Sequence, residues 1–148
     1  MKRSGLMKRA ISISLKIPDN TAYTALVALR RLGVAVDRVE RSEIYLFDDG
    51  GDASELARRV MSDETIFNPN KHRLSVLENS APGSGEVWIE SLASERVILN
   101  EAEGPHAIAW HLFDAQNGPV RRSVLAAAIE RLLCNPAIER AVTNRDHS

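Results

Sequence analysis

The fold of this chain is decided by residues 10–20, which read AISISLKIPDN. Apolar residues alternate with serine and lysine up to Ile17, and this period of two is typical of a strand with one buried and one wet face. Pro18 ends the strand, and Asp19 or Asn20 can cap a helix that follows at once. The stretch therefore predicts a β–α unit against which the rest of the chain packs.

An amphipathic helix is predicted directly after this cap. Residues 22–33 read AYTALVALRRLG, with alanine and leucine at helical spacing along one face. Arg30 and Arg31 fall in the last turn, where cations meet the negative end of the helix dipole. Gly33 then stops the helix.

The remainder of the first half completes a β-α-β-β-α-β order. Residues 34–47 predict two strands or one long bent strand, and the acidic, glycine-containing run at 48–52 predicts a turn. Asp52 can cap the second helix, which is marked by apolar residues at 56–61. An extended segment around residues 74–76 closes this half.

A linker-like stretch reading SAPGSG, at residues 80–85, separates two halves of the chain. We place a domain boundary there, so that the first unit spans residues 10–79 and the second spans residues 86–144.

The second unit is predicted to hold strands at residues 87–89, 96–99 and 107–113. A helix is expected over about residues 120–133, with Pro119 suited to its first position. Residues 138–142 then predict a short closing strand.

The two halves resemble each other in sequence. LARRVMSDETI at 56–66 lies against AIERLLCNPAI at 128–138, and IYLFD at 44–48 lies against WHLFD at 110–114. The matching order of elements favours a tandem duplication, although chance similarity between two amphipathic helices is the competing explanation. The second copy is degenerate, because residues 91–104 are too acidic and irregular to match the first helix.

Composition and charge narrow the classes of protein to which the chain can belong. The chain has 148 residues, of which 44% are hydrophobic and 26% charged, an ordinary globular balance. Lys and Arg total 19 against 20 Asp and Glu, so the surplus of cations that a nucleic-acid binder needs is missing. Residues 1–9 are basic, but no continuous apolar run follows them. We therefore expect a short disordered tail, not a signal peptide or membrane span, and a cytoplasmic protein.

No pattern in the sequence predicts a catalytic, cofactor-binding or metal-binding site. Cys134, the single cysteine, follows two leucines and is expected to be a small buried hydrophobe. His106 and His111 lie in or beside a predicted strand at a spacing unsuited to one zinc ion. Glycine-rich phosphate loops and nucleophile elbows are missing. Activity in the isolated chain is thus left uncertain.

Three stretches carry a resemblance to a known family. They are the helix at 22–33, the bent strands VDRVERSEIYL at 36–46, and LLCNPAIE at 132–139. In these stretches the chain resembles the small PurS subunit of phosphoribosylformylglycinamidine synthase, over residues 10–77 and more loosely over 107–143. The chain departs from that family at Pro18-Asp19-Asn20, which replaces its Asp-Pro-x-Gly. A further departure is Asp63-Glu64, which stands where Asn-Pro is expected.

The resemblance implies both a fold and a role. It implies an α+β, PurS-like or ferredoxin-like fold, tandem duplicated, with an antiparallel sheet and helices on one face. The role implied is a non-catalytic scaffold that binds no cofactor and bridges the large synthetase subunit and the glutaminase subunit. These belong to an ATP-dependent amide ligase complex of purine biosynthesis. The family's subunit forms dimers, and a chain with two copies would be a covalent version of one; further homo-oligomers are left open.

The partner interface is predicted from basic pairs and large aromatic residues. The candidates are Arg30, Arg31, Arg58, Arg59, Trp88 and Trp110, with Arg121 and Arg122 as a third basic pair. Solvated helix faces and core filling are the competing explanations for the arginines and the tryptophans. A regulatory small-ligand module of the ACT type shares the element order and is the alternative function. An enzyme on a ferredoxin-like fold is a third.

Overall fold

The computed structural model describes residues 8–48, 52–77, 81–92 and 105–144. The strand predicted at 96–99 and the middle of the turn at 48–52 lie outside these ranges, as do residues 1–7 of the predicted tail. The first strand begins at Lys8, so Lys8 and Arg9 belong to a strand and not to the predicted tail.

The described residues form strands and helices in the order expected for an α+β protein. The strands are β1 (Lys8–Leu15), β2 (Arg38–Asp48), β3 (His72–Val76), β4 (Glu86–Ser91), β5 (Ala107–Phe113) and β6 (Glu139–Val142). The helices are α1 (Asn20–Arg31), α2 (Ala53–Met61) and α3 (Arg122–Ala128), the last continued by a π-helical turn, Ile129–Leu133.

All strands join one six-stranded antiparallel sheet in the order β3-β1-β2-β5-β4-β6. The α+β class is therefore confirmed. β2 is one long strand, which selects the second of the two interpretations of residues 34–47. The first half therefore reads β-α-β-α-β, one strand fewer than the predicted β-α-β-β-α-β order. The sheet is continuous from the first half to the second through the pair β2·β5. In each half the first strand lies between the other two, but the duplication itself stays a prediction.

The two aspartates predicted as N-caps take that role. Asp19 Oδ1 accepts a hydrogen bond from the Ala22 amide at 3.1 Å, and Asp52 Oδ1 accepts one from the Ser54 amide at 3.1 Å. Each bond satisfies a backbone donor that the first turn of a helix leaves unpaired. Gly33 ends α1 with a positive φ of 82°, as its place in the sequence predicts.

The helices pack on one face of the sheet, which we call the helix face. Under α2 lies a core of Ile11, Ile13, Tyr45, Leu56 and Val60. A larger core beneath α1 and α3 holds, among others, Leu29, Val87, Leu112 and Leu125. The opposite face, called the far face below, carries a separate buried cluster of apolar residues, three of them alanines. Its members are Ala10, Ile44, Trp88, Ala107 and Ala109.

The last helix begins later than predicted, and it ends at the predicted residue, Leu133, but in a π turn. Pro119 is not its first residue, because Pro119 forms a β-bridge with Phe113 and the Val120 amide donates to the Leu112 carbonyl at 3.1 Å. The helix begins only at Arg122. At the other end the Cys134 amide reaches the Ile129 carbonyl at 3.2 Å, the five-residue spacing of a π turn.

The described part of the predicted linker, residues 81–85, packs against the second half. Pro82 and Gly85 are buried, and the Gly85 carbonyl accepts a hydrogen bond from the Leu112 amide at 2.9 Å. Gly85 has a positive φ of 70°, and Pro119 lies against it. The end of this stretch therefore acts as a tight turn into β4.

Candidate functional site

A cleft opens in the middle of the sheet where β1 and β2 stop pairing. Their pairing ends at Ile13 opposite Glu43. Beyond this point Ser14 and Leu15 pair with β3 alone, and the leading part of β2, from Arg38, pairs with β5 alone. A cavity of about 570 Å³ occupies the gap, and we call it the central cleft.

The central cleft runs between the strands from the far face to the underside of α1. Because directly opposed residues of paired strands share a face, the register places four serines on the far face. Apolar side chains of Leu15, Ala22, Leu26 and Val39 line its other end. The cleft thus has a polar mouth and an apolar floor. The serines at the mouth are Ser12, Ser14, Ser42 and Ser75.

Arg41 is the best-buried cation of this cleft, with a side chain 24% exposed. Its guanidinium stands 3.8 Å from Asp19 Oδ2, at the long limit of an ion pair, and 5.8 Å from the centre of the Trp110 ring. The Arg41 Nε atom is buried and makes no hydrogen bond to the described residues. Because buried N–H groups are normally paired, Arg41 retains an unused donor.

The carboxylates around the cleft are already bonded within the chain. Asp19 accepts from the Ala22 amide and faces Arg41. Glu86 accepts from the Gly83 amide at 2.8 Å and from Trp88 Nε1 at 2.9 Å. By contrast, the four serines named above make no side-chain hydrogen bond among the described residues. The cleft therefore offers more free donors than free anions.

A compact polar cluster stands beside the cleft, at the start of β2. The Arg38 guanidinium lies 3.9 Å from the centre of the Phe113 ring, contacts Glu40, and donates to Asn117 Oδ1 at 2.6 Å. His111 also stacks on the ring of Phe113, with ring centres 4.7 Å apart. These contacts neutralise Arg38 and hold it in place.

The helix layer carries a second, shallower cavity of about 430 Å³ between α1 and the π turn. Trp110 is one of the residues that line it, together with Thr24, Ala28 and Leu132. Leu132 is 40% exposed; Tyr23, on α1, is 66% exposed and lines the central cleft instead. This groove is mostly apolar, which suits contact with another apolar surface.

On the far face, a buried carboxylate joins β4 to two basic residues. Glu90 is 8% exposed; its Oε2 lies 2.9 Å from His106 Nε2, and its Oε1 accepts from Arg140. Hydrogen bonding to Glu90, together with its negative charge, raises the pKa of the Arg140 guanidinium. The contacts satisfy a buried charge, and we assign them a structural role.

The predicted interface residues lie on α1, on α2 and on two strands of the sheet. Arg30 is tied to its own chain, donating to the Val36 carbonyl at 3.0 Å and to Asp37 at 3.2 Å. Arg31 is exposed on α1, and Arg58 and Arg59 are exposed on α2, over the other core.

The two tryptophans lie on opposite faces of the sheet. Trp88 is 2% exposed and fills the far-face cluster, where its bulk serves the core. Trp110 lines the helix-layer groove. Among the six candidates, Trp110 is the one that lines either of the two cavities described above.

Sequence reasoning missed the residues that meet in the central cleft. The sequence predicts Asp19 only as a helix cap, and Arg41 only as part of the bent strands at 36–46. The sequence does carry one signal, which is that polar residues alternate with the others along each of these strands. They are Ser12 and Ser14 on the first strand, and Glu40 and Ser42 on the second. That signal predicts a polar face, but the parting of β1 from β2 depends on tertiary pairing.

Within the described ranges, no group of three or more His, Cys, Asp or Glu side chains could hold a metal ion. A search of the same residues finds no helix long and apolar enough to cross a membrane.

Cys134 is expected to react slowly with thiol reagents. Burial, followed by the nearby Glu139 charge, raises the pKa of this thiol, so the thiolate is scarcer at neutral pH than in a free cysteine. We expect Ellman's reagent at pH 7.5 to modify the folded chain at least about threefold more slowly than the urea-unfolded chain. A pH–rate inflection at or below that of the unfolded chain would contradict this expectation.

No protein-family model matches the chain, and no curated protein matches its sequence.

Proposed function

We propose that the chain is a non-catalytic scaffold subunit of a cytoplasmic, glutamine-dependent phosphoribosylformylglycinamidine synthase complex. In this role it holds the large synthetase subunit and the glutaminase subunit together, so that ammonia passes between their sites. The chain itself contributes binding surfaces and no reacting group.

One observation of the fold carries the proposal. The strand order β3-β1-β2-β5-β4-β6 places the first strand of each half between the other two, and the halves meet edge to edge through β2 and β5. A PurS-like chain with two fused copies is expected to join them side by side in this way. The same order supports the sequence resemblance independently of any residue identity.

The charges of the helix layer support a docking role. Arg31 and Arg58 are exposed, lie in the last turns of α1 and α2, and form no ion pair with the described residues. Free surface cations of this kind steer an acidic partner and select it, more than they add affinity. The exposed Tyr23 and Leu132 supply apolar contact on the same layer.

The experiment is an affinity purification of the tagged chain from the native extract, with the bound proteins measured by mass spectrometry. We expect an ATP-dependent synthetase and a glutaminase to be retained together, in near-equal molar amounts with the chain. The charge reversals R31E and R58E, combined, should lower the retention of both by about tenfold, because repulsion replaces attraction.

The control is K71E, which makes the same charge change as either single reversal, R31E or R58E, at an exposed lysine in the turn before β3. It should leave retention unchanged, and all variants should keep the melting temperature of the parent chain. A chain that is recovered alone, or that retains other proteins but neither subunit, would refute the proposal.

A further inference from the structure

We propose that the helix-layer groove, the cavity between α1 and the π turn, is a docking site for an acidic amphipathic helix of a partner protein. The proposal goes beyond the scaffold function by naming the kind of segment that docks. It does not depend on which protein carries that segment.

The first step of the argument is the shape of the groove. Its volume is about 430 Å³, and Trp110 of β5 lies beneath the helices that form its walls. On the α1 wall the side chains of Thr24, Ala25 and Ala28 are small and share one helix face, so a third helix can approach closely. On the other wall Leu132 is 40% exposed. The groove can therefore receive the apolar side chains of a docked segment.

The second step is the backbone of that segment, which selects a helix over an extended peptide. Both walls are helical and bond their own backbone groups, and Trp110 belongs to a strand that is already paired on both sides, with β2 and β4. An extended peptide would find no partner here for the N–H and C=O groups that it buries. A helix satisfies these groups internally and presents apolar side chains along one face.

The third step is the charge of the two wall segments, which selects an acidic helix. Residues 20–31 and 121–133 together hold five arginines and one glutamate, although the whole chain has 19 basic and 20 acidic residues. Nearby carboxylates are committed, because Asp37 pairs with Arg30 and Asp19 caps α1 and faces Arg41. Positive charge is thus concentrated on this part of the helix layer, where it attracts acidic segments.

Two of these arginines stand beside the groove. Arg31 follows Ala28 by three residues and Thr24 by seven, so it extends the same face of α1. It is exposed and forms no ion pair with the described residues. Arg131 precedes Leu132, and its Nη1 donates to the Leu32 carbonyl at 2.9 Å, which holds the guanidinium at the end of α1. Carboxylates beside the apolar face of a docked helix would meet both arginines.

Anionic membranes also attract surfaces that are basic and apolar. In this chain, however, the apolar residues line a recess between two helices, and a flat bilayer surface cannot fill it. The shape therefore favours a protein segment over a membrane.

The test is fluorescence titration of the full chain with two synthetic peptides of about 18 residues, long enough to form a helix. Both carry leucines at helical spacing on one face; the acidic peptide has glutamates on the opposite face, where the basic peptide has lysines. The acidic peptide should bind with a Kd below about 0.1 mM, and the basic peptide at least about tenfold more weakly. Trp110 emission should shift to shorter wavelength as water leaves the groove, over a constant background from Trp88, which is 2% exposed.

Substitutions locate the binding site of the acidic peptide. Thr24→Glu should weaken binding by about tenfold or more, because it places a like charge on the wall of the groove. Leu132→Ala should weaken it by about fivefold through lost apolar contact. Arg31→Gln should weaken it by about threefold, the effect of one exposed ion pair. All three side chains are exposed, so each variant should keep the melting temperature of the parent chain.

The matched control is Arg73→Gln, which makes the same charge change as Arg31→Gln at an exposed arginine of β3. Arg73 lies opposite Ser14 on the far face, on the other side of the sheet from the groove. This variant should bind the acidic peptide as the parent chain does.

Three results would overturn the inference. They are the lack of saturable binding of the acidic peptide up to about 1 mM, equal affinity for the two peptides, and binding that Thr24→Glu and Leu132→Ala leave unchanged. Binding to vesicles of phosphatidylserine and phosphatidylcholine without binding of the acidic peptide would assign the surface to a membrane instead. None of these results touches the scaffold function, because subunit retention is measured separately.

Discussion

Replacing Leu112 with alanine should lower the free energy of unfolding by about 3 kcal/mol, within the range of about 2–5 kcal/mol for buried leucines. Leu112 is 0% exposed and belongs to the core beneath α1 and α3. It lies on β5, which pairs with both β2 and β4, so its surroundings are held on two sides and cannot easily collapse into a cavity. Urea denaturation followed by circular dichroism measures the change.

The control for this prediction is Leu132→Ala, which removes the same atoms from a side chain that is 40% exposed. We expect it to cost about 1 kcal/mol or less, because less apolar surface is returned to water. Equal losses for the two variants would show that Leu112 is not at the centre of the core.

Replacing Gly85 with alanine should cost about 3 kcal/mol, through two effects that add. Gly85 has a φ of +70°, which costs a residue with a Cβ about 1–2 kcal/mol. The new Cβ would also stand 2.6 Å from Pro119 Cβ and 3.0 Å from the Leu112 carbonyl oxygen. Neither neighbour is the end of a flexible side chain, so backbone has to move.

Two other glycines separate these effects. Gly33 has a φ of +82°, but a Cβ there would meet nothing closer than Arg131 Nη1, at 3.6 Å. Gly33→Ala should therefore cost only about 1 kcal/mol, from the backbone conformation alone. Gly83 has no positive φ and a nearest neighbour at 3.6 Å, so Gly83→Ala should be close to neutral. If Gly85→Ala matched Gly33→Ala, the packing of Pro119 against this turn would be ruled out.

Much of the fold could be predicted because its signals are local. The alternation from residue 10 to 17 produced β1, and the caps at Asp19 and Asp52 marked the starts of α1 and α2. An N-cap bonds to a backbone amide two or three residues away, so neighbouring sequence is enough to find it. The α+β class follows from the order of such elements.

Other features depended on contacts between distant parts of the chain. Pro119 has the right chemistry for a first helical position, yet its bridge to Phe113 delays α3 until Arg122. Trp88 on β4 and Trp110 on β5 are equally large residues on paired strands. The pleat places Trp88 in the far-face core and Trp110 toward the helix layer. Their opposite surroundings cannot be inferred from residue type.

By itself, the sequence determined the period-two strand β1, though not its end at Leu15, two residues before the alternation stops at Ile17, together with the capped helix after it and the α+β class. Each of these rests on hydrogen bonds or periodicity within a few residues. Only the tertiary structure decided that β1 ends its pairing with β2 at Ile13 and leaves a cleft beside Arg41. The physical reason is that strand register is set by which faces are buried across the whole sheet, and residues 10–20 do not carry that information.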